Sequence, residues 1–185
     1  MAMKKAGCWQ MAFGIESGDQ RVLDFIGKKQ TLAEIERDVR ITKEARIRVK
    51  GLFMMGLPGD SRATILSTLE FAKKLDLDLF QITKFTPLPG SELYPEASEL
   101  GAFDDDWTRM NMLNSVFVPR GMTSGELEDL FWNVNRGFYA RGSMALELTR
   151  FFLENPSQLK VGLKTGIEFF GNTLRRRSVG VSTSR

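Results

Sequence analysis

Hydrophobic and polar positions in the first half of the chain fall into short apolar runs separated by longer segments with helical spacing. The runs that fit strands are Met11–Ile15, Arg48–Met55 and Leu79–Phe85. Between them, apolar residues recur three and four positions apart, which is typical of amphipathic helices. This alternation predicts a βαβαβ unit with a parallel sheet and right-handed crossovers.

Capping signals mark where the helices of this unit begin. Thr31 and Glu34 form a T-x-x-E capping box, and Ser61 is placed to cap a helix whose buried stripe is Ile65, Leu69 and Ala72. A single helical turn is expected over residues 22–26. Because residues 51–55 are almost uniformly apolar, we expect the second strand to be covered on both faces.

The pattern becomes mainly helical after Pro89. It predicts a short helix over Glu92–Leu100, a loop over 103–107, and a long helix opened by a capping box of Thr123 and Glu126. Helical spacing continues to Phe170 after a break at Asn155–Pro156. The last ten or so residues, rich in Ser, Arg and Gly, are expected to be disordered.

Length and charge favour an ordinary soluble domain without a nucleic-acid surface. The chain has 185 residues, 42% of them apolar and 26% charged. Four of its 26 basic residues lie in the tail (Arg175, Arg176, Arg177 and Arg185), which leaves 22 basic against 23 acidic residues. The body is therefore about neutral, which argues against nucleic acid as a partner. The tail arginines either contact phosphates or a membrane, or form a solvated tail, which we favour.

The counts of histidine and cysteine exclude several kinds of site. The chain has no histidine, and Cys8 is its only cysteine. These counts exclude a disulfide framework, a Cys–His zinc site, a Ser-His-Asp triad and an iron–sulfur cluster held by this chain alone. We therefore expect no metal ligands, no catalytic residues of these kinds, and a cytoplasmic location. The N-terminus lacks a signal-peptide core and no apolar run reaches membrane-spanning length, so no membrane partner is expected.

Each predicted strand ends in a turn that could meet a ligand. The three turns are Phe13–Gly18, Gly51–Asp60 and Phe85–Ser91. In a parallel sheet these ends share one rim, where ligands of α/β folds bind. The second turn would offer backbone groups, since it contains neither a Walker loop nor a Gly-x-Gly-x-x-Gly fingerprint.

Three kinds of side chain, in these turns or on the connection that follows the first of them, are candidate ligand contacts. Glu16, between Gly14 and Gly18, could accept hydrogen bonds from vicinal hydroxyls such as those of a ribose, or could order its loop. Lys28 or Lys29 could pair with a ligand carboxylate, or remain an exposed lysine. Met54 and Met55 could press on a flat heterocycle, although one of the two must face the core.

Together these segments resemble the second half of a radical S-adenosylmethionine (SAM) catalytic domain, of the kind that carries an N-terminal cobalamin-binding domain. The resemblance covers residues 6–110 in order and spacing. Its matching segments are Ala6–Cys8, Phe13–Gly18, Ile26–Lys28, Gly51–Asp60 and Thr86–Ser91 with Leu93–Tyr94.

The resemblance implies an α/β fold, half of a partial (β/α) TIM-like barrel with a C-terminal helical extension. Its domains would be residues 1–110 for the half-barrel, 111–172 for the extension and 173–185 for the disordered basic tail. The family's C-x-x-x-C-x-x-C cluster motif is absent. The chain is expected to begin around the third helix of the barrel, without the first three strands and the cluster loop.

What the resemblance transfers is the binding of SAM. It assigns Glu16 to the ribose hydroxyls, Lys28 to the methionine carboxylate, and Met54, Met55 and Gly56 to the adenine. Ser17 and Pro87, in the first and third turns, complete the predicted cofactor-binding residues.

Two positions depart from the family pattern. Arg46 stands where a helix-ending glycine is usual, at a cost of about 1 kcal/mol if it adopts a left-handed conformation. Asp60 stands where a glutamate is usual.

The resemblance implies that this chain is a fragment of a radical SAM enzyme. The intact parent enzyme would be a cobalamin-dependent methyltransferase or an anaerobic oxidative cyclase, such as the Mg-protoporphyrin ester cyclase relatives. A [4Fe-4S] cluster and cobalamin would then belong to the intact parent only, which would act on a small-molecule substrate that the sequence does not identify. The alternative is a non-catalytic half-barrel module that self-associates or pairs with a partner chain.

Two features of a half-barrel favour a homodimer in which two half-barrels cover each other. One is an exposed sheet edge at Met11–Ile15. The other is a set of uncovered interior side chains among Phe53, Met54, Met55 and Ile82. Helices of the extension that fold back over the sheet are the competing solution.

Overall fold

The computed structural model describes residues 2–142 and 153. The chain divides into two units, Met1–Tyr139 and Ala140–Arg185, and the elements below belong to the first. The predicted helical continuation to Phe170 and the predicted disordered tail lie outside the described residues.

The first unit contains both strands and helices, interspersed along its length. The strands are β1 (Gln10–Glu16), β2 (Arg48–Met55), β3 (Leu79–Lys84), β4 (Gly101–Phe103) and β5 (Phe117–Pro119). The helices are α1 (Ala2–Lys5), α2 (Gln20–Phe25), α3 (Leu32–Glu44), α4 (Arg62–Lys74), α5 (Ala97–Leu100) and α6 (Ser124–Tyr139).

The first three strands form a parallel sheet in the order β1-β2-β3. A representative row of paired residues is Gly14, Leu52 and Gln81. The parallel pairing of successive strands confirms the predicted mixed α/β arrangement. After Gly14 the register shifts so that Glu16 pairs with Phe53, which leaves Ile15 as an extra residue in a β-bulge.

The helix boundaries follow the capping signals. The predicted capping box of Thr31 and Glu34 begins α3, and that of Thr123 and Glu126 lies at the start of α6. Ser61 accepts a hydrogen bond from the Thr64 N–H at the start of α4. Each box satisfies backbone N–H groups that a helix start leaves unpaired.

Helix α3 ends in a left-handed residue, as expected for Arg46. Its φ is +57°. The N–H of Arg46 donates to the Lys43 carbonyl at 2.8 Å, and the N–H of Ile47 donates to the Thr42 carbonyl at 3.2 Å. These two bonds form a Schellman motif, in which glycine would be less strained.

Strand β2 is buried on one face only, which corrects the expectation that both faces are covered. Val49, Gly51, Phe53 and Met55 are buried, whereas the residues between them are half-buried. A uniformly apolar run does not show which of its faces is packed, because the alternation lies in burial and not in composition. Phe53 packs on Phe80, which stacks on Phe138 of α6 with ring centroids 4.6 Å apart.

The other face of the sheet, which we call the open face, carries exposed or half-buried residues. Ala12 and Gln81 are exposed, and Gly14, Leu52, Met54 and Thr83 are half-buried. Of the four side chains expected to be uncovered there, only Met54 is on this face. Phe53, Met55 and Ile82 are at most 4% exposed and face the opposite way.

The segment after β3 differs from its predicted structure in two places. Helix α5 begins at Ala97, later than the predicted Glu92, because Pro95 disfavours a helical conformation in the residue before it. Residues 117–119, within the predicted helical extension, form β5 and pair antiparallel with β4. This pairing needs Gly101, since a Cβ there would lie 2.2 Å from the Val118 carbonyl oxygen.

Candidate functional site

The end of β1 places a strained glutamate at the rim of the sheet. Glu16 has φ +66° and follows the bulged residue Ile15. Of the described non-glycine residues with positive φ, Arg46 and Asp76 end helices, whereas Glu16 ends a strand. A left-handed conformation costs a non-glycine residue about 1–2 kcal/mol, and such strain clusters at functional sites.

The carboxylate of Glu16 lies beside the ammonium group of Lys28. Glu16 Oε1 is 3.4 Å from Lys28 Nζ, and the two side chains are 25% and 28% exposed. A Cβ on Gly14 would be 3.0 Å from Glu16 Oε1 and 3.5 Å from Lys28 Nζ. Since Gly14 belongs to the open face, this ion pair lies over that face, in space that the absent Gly14 side chain leaves free.

Lys28 reaches Glu16 because helix α2 ends in a tight turn. Gly27 has φ +68°, and its N–H donates to the Asp24 carbonyl at 3.1 Å. The N–H of Lys28 then donates to the Leu23 carbonyl at 2.9 Å. This Schellman motif reverses the chain. The structure thus brings together the two side chains that the family resemblance assigns to the ribose and to the methionine carboxylate, and those roles stay predictions.

The glycines on either side of Glu16 have different roles. Gly14 leaves room for the ion pair, as expected of a glycine beside a ligand site. Gly18 is instead required by packing, because a Cβ there would lie 2.6 Å from Thr68 Cα and 2.7 Å from Phe71 Cβ of α4.

Ser17 is part of the support of this loop. The residue is 1% exposed, and its hydroxyl oxygen accepts a hydrogen bond from the Asp19 N–H at 3.1 Å and lies 3.3 Å from Thr68 Oγ1. With these partners the hydroxyl faces the protein interior. A direct contact between Ser17 and a cofactor stays a prediction, and the backbone of Ser17 would have to make that contact.

The end of β2 divides its two methionines between the two faces of the sheet. Met54 is half-buried on the open face, and Met55 is 1% exposed on the packed face. This separation confirms that one of the two is core. Gly56 follows with φ +72°, and a Cβ there would lie 3.1 Å from a Leu127 methyl group. Of the predicted adenine contacts, Met54 could offer its side chain, whereas Met55 and Gly56 could offer only backbone.

The turn after β2 is organised by Asp60, whose structural role the sequence did not reveal. Its carboxylate accepts hydrogen bonds from the Leu57 N–H at 3.0 Å and from the Thr64 hydroxyl at 2.7 Å. The side chain is buried, and desolvation raises the pKa of Asp60 to about 6 against the opposing effect of these hydrogen bonds. The available signal was an acidic residue just before the Ser61 cap, which is also common in solvated loops.

The third turn lies one strand further along the sheet. Pro87 is buried, whereas Leu88 to Ser91 are exposed. The Thr86 hydroxyl donates to the Asn111 carbonyl at 3.1 Å, and the Lys84 N–H donates to the Met112 carbonyl at 3.0 Å. Residues 111–112 thus run along the outer edge of β3. No described contact joins Pro87 to Glu16 or Lys28, and its cofactor role stays a prediction.

Lys84, at the end of β3, is a buried cation that the sequence did not single out. Its side chain is 2% exposed, and its ammonium group donates to the Leu113 carbonyl at 2.7 Å and pairs with Glu128 of α6. Burial of an ammonium group is costly unless such partners offset its lost hydration. The pair fixes the segment before β5 and helix α6 against the end of the sheet.

The described residues show neither a metal-binding cluster nor a membrane-spanning helix. Within residues 2–142 and 153, no three His, Cys, Asp or Glu side chains are grouped to hold a metal ion. In the same part of the chain, no helix has both the length and the apolar character needed to cross a bilayer.

Comparison with known proteins relates this chain to a family. The profile described as the Radical SAM superfamily matches residues 1–72, which include β1, β2 and the Glu16–Lys28 pair. An uncharacterized methyltransferase of Pyrococcus horikoshii is 34% identical over 148 residues, 79% of this chain and 32% of that protein.

Two further relatives have more specific names. The anaerobic magnesium-protoporphyrin IX monomethyl ester cyclase of Cereibacter sphaeroides is 30% identical over 142 residues, 76% of this chain and 23% of that protein. The cytidylyl-2-hydroxyethylphosphonate methyltransferase of Streptomyces wedmorensis is 30% identical over 155 residues, 77% of this chain and 29% of that protein. The chain spans a third or less of each of these three relatives. The profile match and the relatives together confirm what the motifs indicate: this chain is related to the radical SAM superfamily.

Proposed function

We propose that this chain supplies the SAM-binding half of a radical SAM enzyme. The observation that carries the proposal is the Glu16–Lys28 pair, a carboxylate and an ammonium group 3.4 Å apart over the open face at the end of β1. A carboxylate accepts hydrogen bonds from a ribose diol, and an ammonium group pairs with the carboxylate of methionine. SAM contains both groups, so the chemistry of the pair fits the cofactor.

In this proposal the residues at the rim bind and orient SAM. Glu16 accepts hydrogen bonds from the ribose hydroxyls, and Lys28 holds the methionine carboxylate. Met54, with the backbone of Met55 and Gly56, contacts the adenine, and Ser17 and Pro87 complete the site. In the intact enzyme, SAM held by these residues would supply radical chemistry that abstracts hydrogen from an unreactive carbon.

This chain does not fit the iron–sulfur cluster by itself. In the family pattern three cysteine thiolates hold the cluster, whereas the 185 residues contain one cysteine, Cys8. We therefore propose that residues outside this chain supply the cluster ligands, and that anaerobic reconstitution of the chain with iron and sulfide leaves it colourless. A stable brown species with one cluster per chain would contradict the proposal.

The proposed parent is a cobalamin-dependent methyltransferase or an anaerobic oxidative cyclase. Support comes from the names of the relatives, which include two methyltransferases and a magnesium-protoporphyrin ester cyclase. These names do not extend to a substrate for this chain, since a fold and a cofactor site are compatible with many substrates. The use of cobalamin and a cytoplasmic location stay predictions.

The half-barrel part of the proposal is supported by the sheet. Strand β1 is at the edge of the sheet, where a preceding barrel strand would pair, and the open face would line the barrel interior. The same features favour the alternative, a module that dimerises through this face or binds a partner chain. Sedimentation at micromolar concentration tests self-association, and a monomer that binds no hydrophobic dye would count against the dimer.

The test of SAM binding is the substitution Glu16→Ala in the full chain. We expect SAM affinity to fall by about 10- to 150-fold, the equivalent of about 1.5–3 kcal/mol for lost hydrogen bonds to a charged group. Isothermal titration with SAM measures it.

A matched control is Glu70→Ala, which removes an exposed glutamate that pairs with Lys73 on α4 at 2.8 Å. The control should leave SAM affinity unchanged. Absence of SAM binding by the unmodified chain would contradict the proposed function. Equal affinity of Glu16→Ala and the unmodified chain would return Glu16 to a loop-ordering role.

A further inference from the structure

Helix α4 carries two buried threonines one turn apart. Thr64 and Thr68 are 5% and 3% exposed. Residues four apart project from the same side of a helix, so their hydroxyl groups lie in a row. Each hydroxyl contacts a different strand-end loop of the candidate site.

Thr64 holds the turn after β2. Its hydroxyl donates to Asp60 Oδ1 at 2.7 Å, and Asp60 Oδ2 accepts the Leu57 N–H at 3.0 Å. The first turn of α4 is thereby joined to the backbone that directly follows Gly56. Gly56 belongs to the proposed adenine contact.

Thr68 holds the loop after β1. Its hydroxyl donates to the Thr64 carbonyl at 3.0 Å and accepts the Gly18 N–H at 2.8 Å. Because the single hydroxyl proton of Thr68 is used by that carbonyl, the Ser17 hydroxyl is the donor in its 3.3 Å contact with Thr68. The loop backbone lies directly on the helix here, since a Cβ on Gly18 would be 2.6 Å from Thr68 Cα.

We propose that α4 is a positioning helix, on which Thr64 and Thr68 set the distance between the two loops that hold SAM. The inference rests on the proposed function. Thr68 positions the loop that carries Glu16, the ribose contact, and Thr64 with Asp60 positions the turn that carries the adenine contact. Neither threonine is a catalytic residue, because each acts through the loop that it supports.

The variants that test this role are Thr68→Val, Thr64→Val, Thr68→Ser and a control, Thr42→Val. Valine matches the shape of threonine but offers Gly18 no acceptor, whereas serine keeps the acceptor. Thr42 on α3 is buried like Thr68, and its hydroxyl donates to the Asp38 carbonyl of its own helix at 2.8 Å. The control therefore removes a similar buried hydroxyl that supports no loop of the site.

Two measurements on the full chain are needed. In hydrogen exchange without ligand, we expect Thr68→Val to speed exchange of the Gly18 amide by about tenfold or more, and Thr64→Val to do the same for Leu57. In titration with SAM, we expect about tenfold weaker binding for Thr68→Val, normal binding for Thr42→Val and recovery with Thr68→Ser.

The outcomes separate this inference from the proposed function. If Gly18 exchanges no faster in Thr68→Val than in Thr42→Val, the positioning role is overturned, whether or not SAM binds. If the unmodified chain binds SAM and Thr68→Val binds it equally well, the role is also overturned. If the unmodified chain binds no SAM, the proposed function fails, and with it the claim that these loops are positioned for SAM.

Discussion

The ends of β1 and β2 each carry a carboxylate, and the two carboxylates are held in opposite ways. Glu16 is partly exposed, has a left-handed backbone and pairs with Lys28. Asp60 is 4% exposed and accepts hydrogen bonds from Leu57 and Thr64. A carboxylate whose acceptor sites are used by its own loop holds that loop, whereas a partly exposed one on a strained backbone is placed for a ligand.

The same contrast exists between the two glycines that flank Glu16. Gly14 faces the ends of flexible side chains, and Gly18 faces the backbone of α4. Sequence position alone made them equivalent. Their surroundings make one a component of the site and the other a component of the core.

The largest expected effect is that of Gly18→Ala on stability. Its new Cβ would meet Thr68 Cα at 2.6 Å, and backbone cannot move aside as a side chain can. We expect a loss of about 3 kcal/mol in the free energy of unfolding, at the upper end of overpacking costs. Urea denaturation measures it.

Gly14→Ala is the matched control, because its Cβ would meet the mobile ends of Glu16 and Lys28 at 3.0 Å and 3.5 Å. Its cost in stability should stay below about 1 kcal/mol, while SAM binding should weaken because the ion pair is displaced. Equal destabilisation by the two variants would remove the distinction between the glycines.

The parallel sheet and its helix starts could be predicted because their signals are local. The capping boxes at Thr31 and Thr123 require only residues three apart, and the three strand segments are separate apolar runs. The β4–β5 pair could not be predicted, because each strand has three residues and its partner is distant in the chain.

The site was predictable in its residue types and less so in their roles. The motif around Glu16 and the turn at Gly27 led to a pair that is in contact in the structure. The roles of Ser17, Gly18 and Asp60 depend on α4, whose threonines carry no motif. The packing of Phe53 likewise involves a distant element, since Phe53 packs on Phe80, and Phe80 stacks on Phe138 of α6.

The next largest expected effect is a dependence of stability on pH that comes from Asp60. Its pKa is raised to about 6 in the folded protein, above its ordinary value of 3.8 in the unfolded chain. Between these values the folded state binds more protons than the unfolded state, so stability falls as pH rises. We expect this group to make the protein less stable at pH 7 than at pH 4 by about 1–3 kcal/mol.

Asp60→Asn isolates this contribution, because the other titrating groups are common to both proteins. Urea denaturation between pH 4 and 7 measures the free energy of unfolding of both proteins. As pH rises, we expect the value for the variant to increase relative to that of the unmodified protein. Parallel profiles would show that Asp60 titrates normally.

The smallest expected effect is a gain in stability from Glu16→Gly. Glycine adopts φ +66° without a Cβ clash, which relieves about 1–2 kcal/mol of strain, while its greater freedom in the unfolded chain offsets part of this gain. We expect the variant to be more stable by about 0.5–1 kcal/mol. Thermal unfolding followed by circular dichroism measures it.

Arg46→Gly is the control, since Arg46 has a similar φ of +57° at the end of α3, away from the strand ends. Both variants should gain similar stability, because both relieve the same backbone strain. Only Glu16→Gly should lose affinity for SAM, because only Glu16 is placed at the proposed site. Loss of stability in Glu16→Gly together with a gain in Arg46→Gly would show that the Glu16 side chain is a structural support, as the carboxylate of Asp60 is at the end of β2.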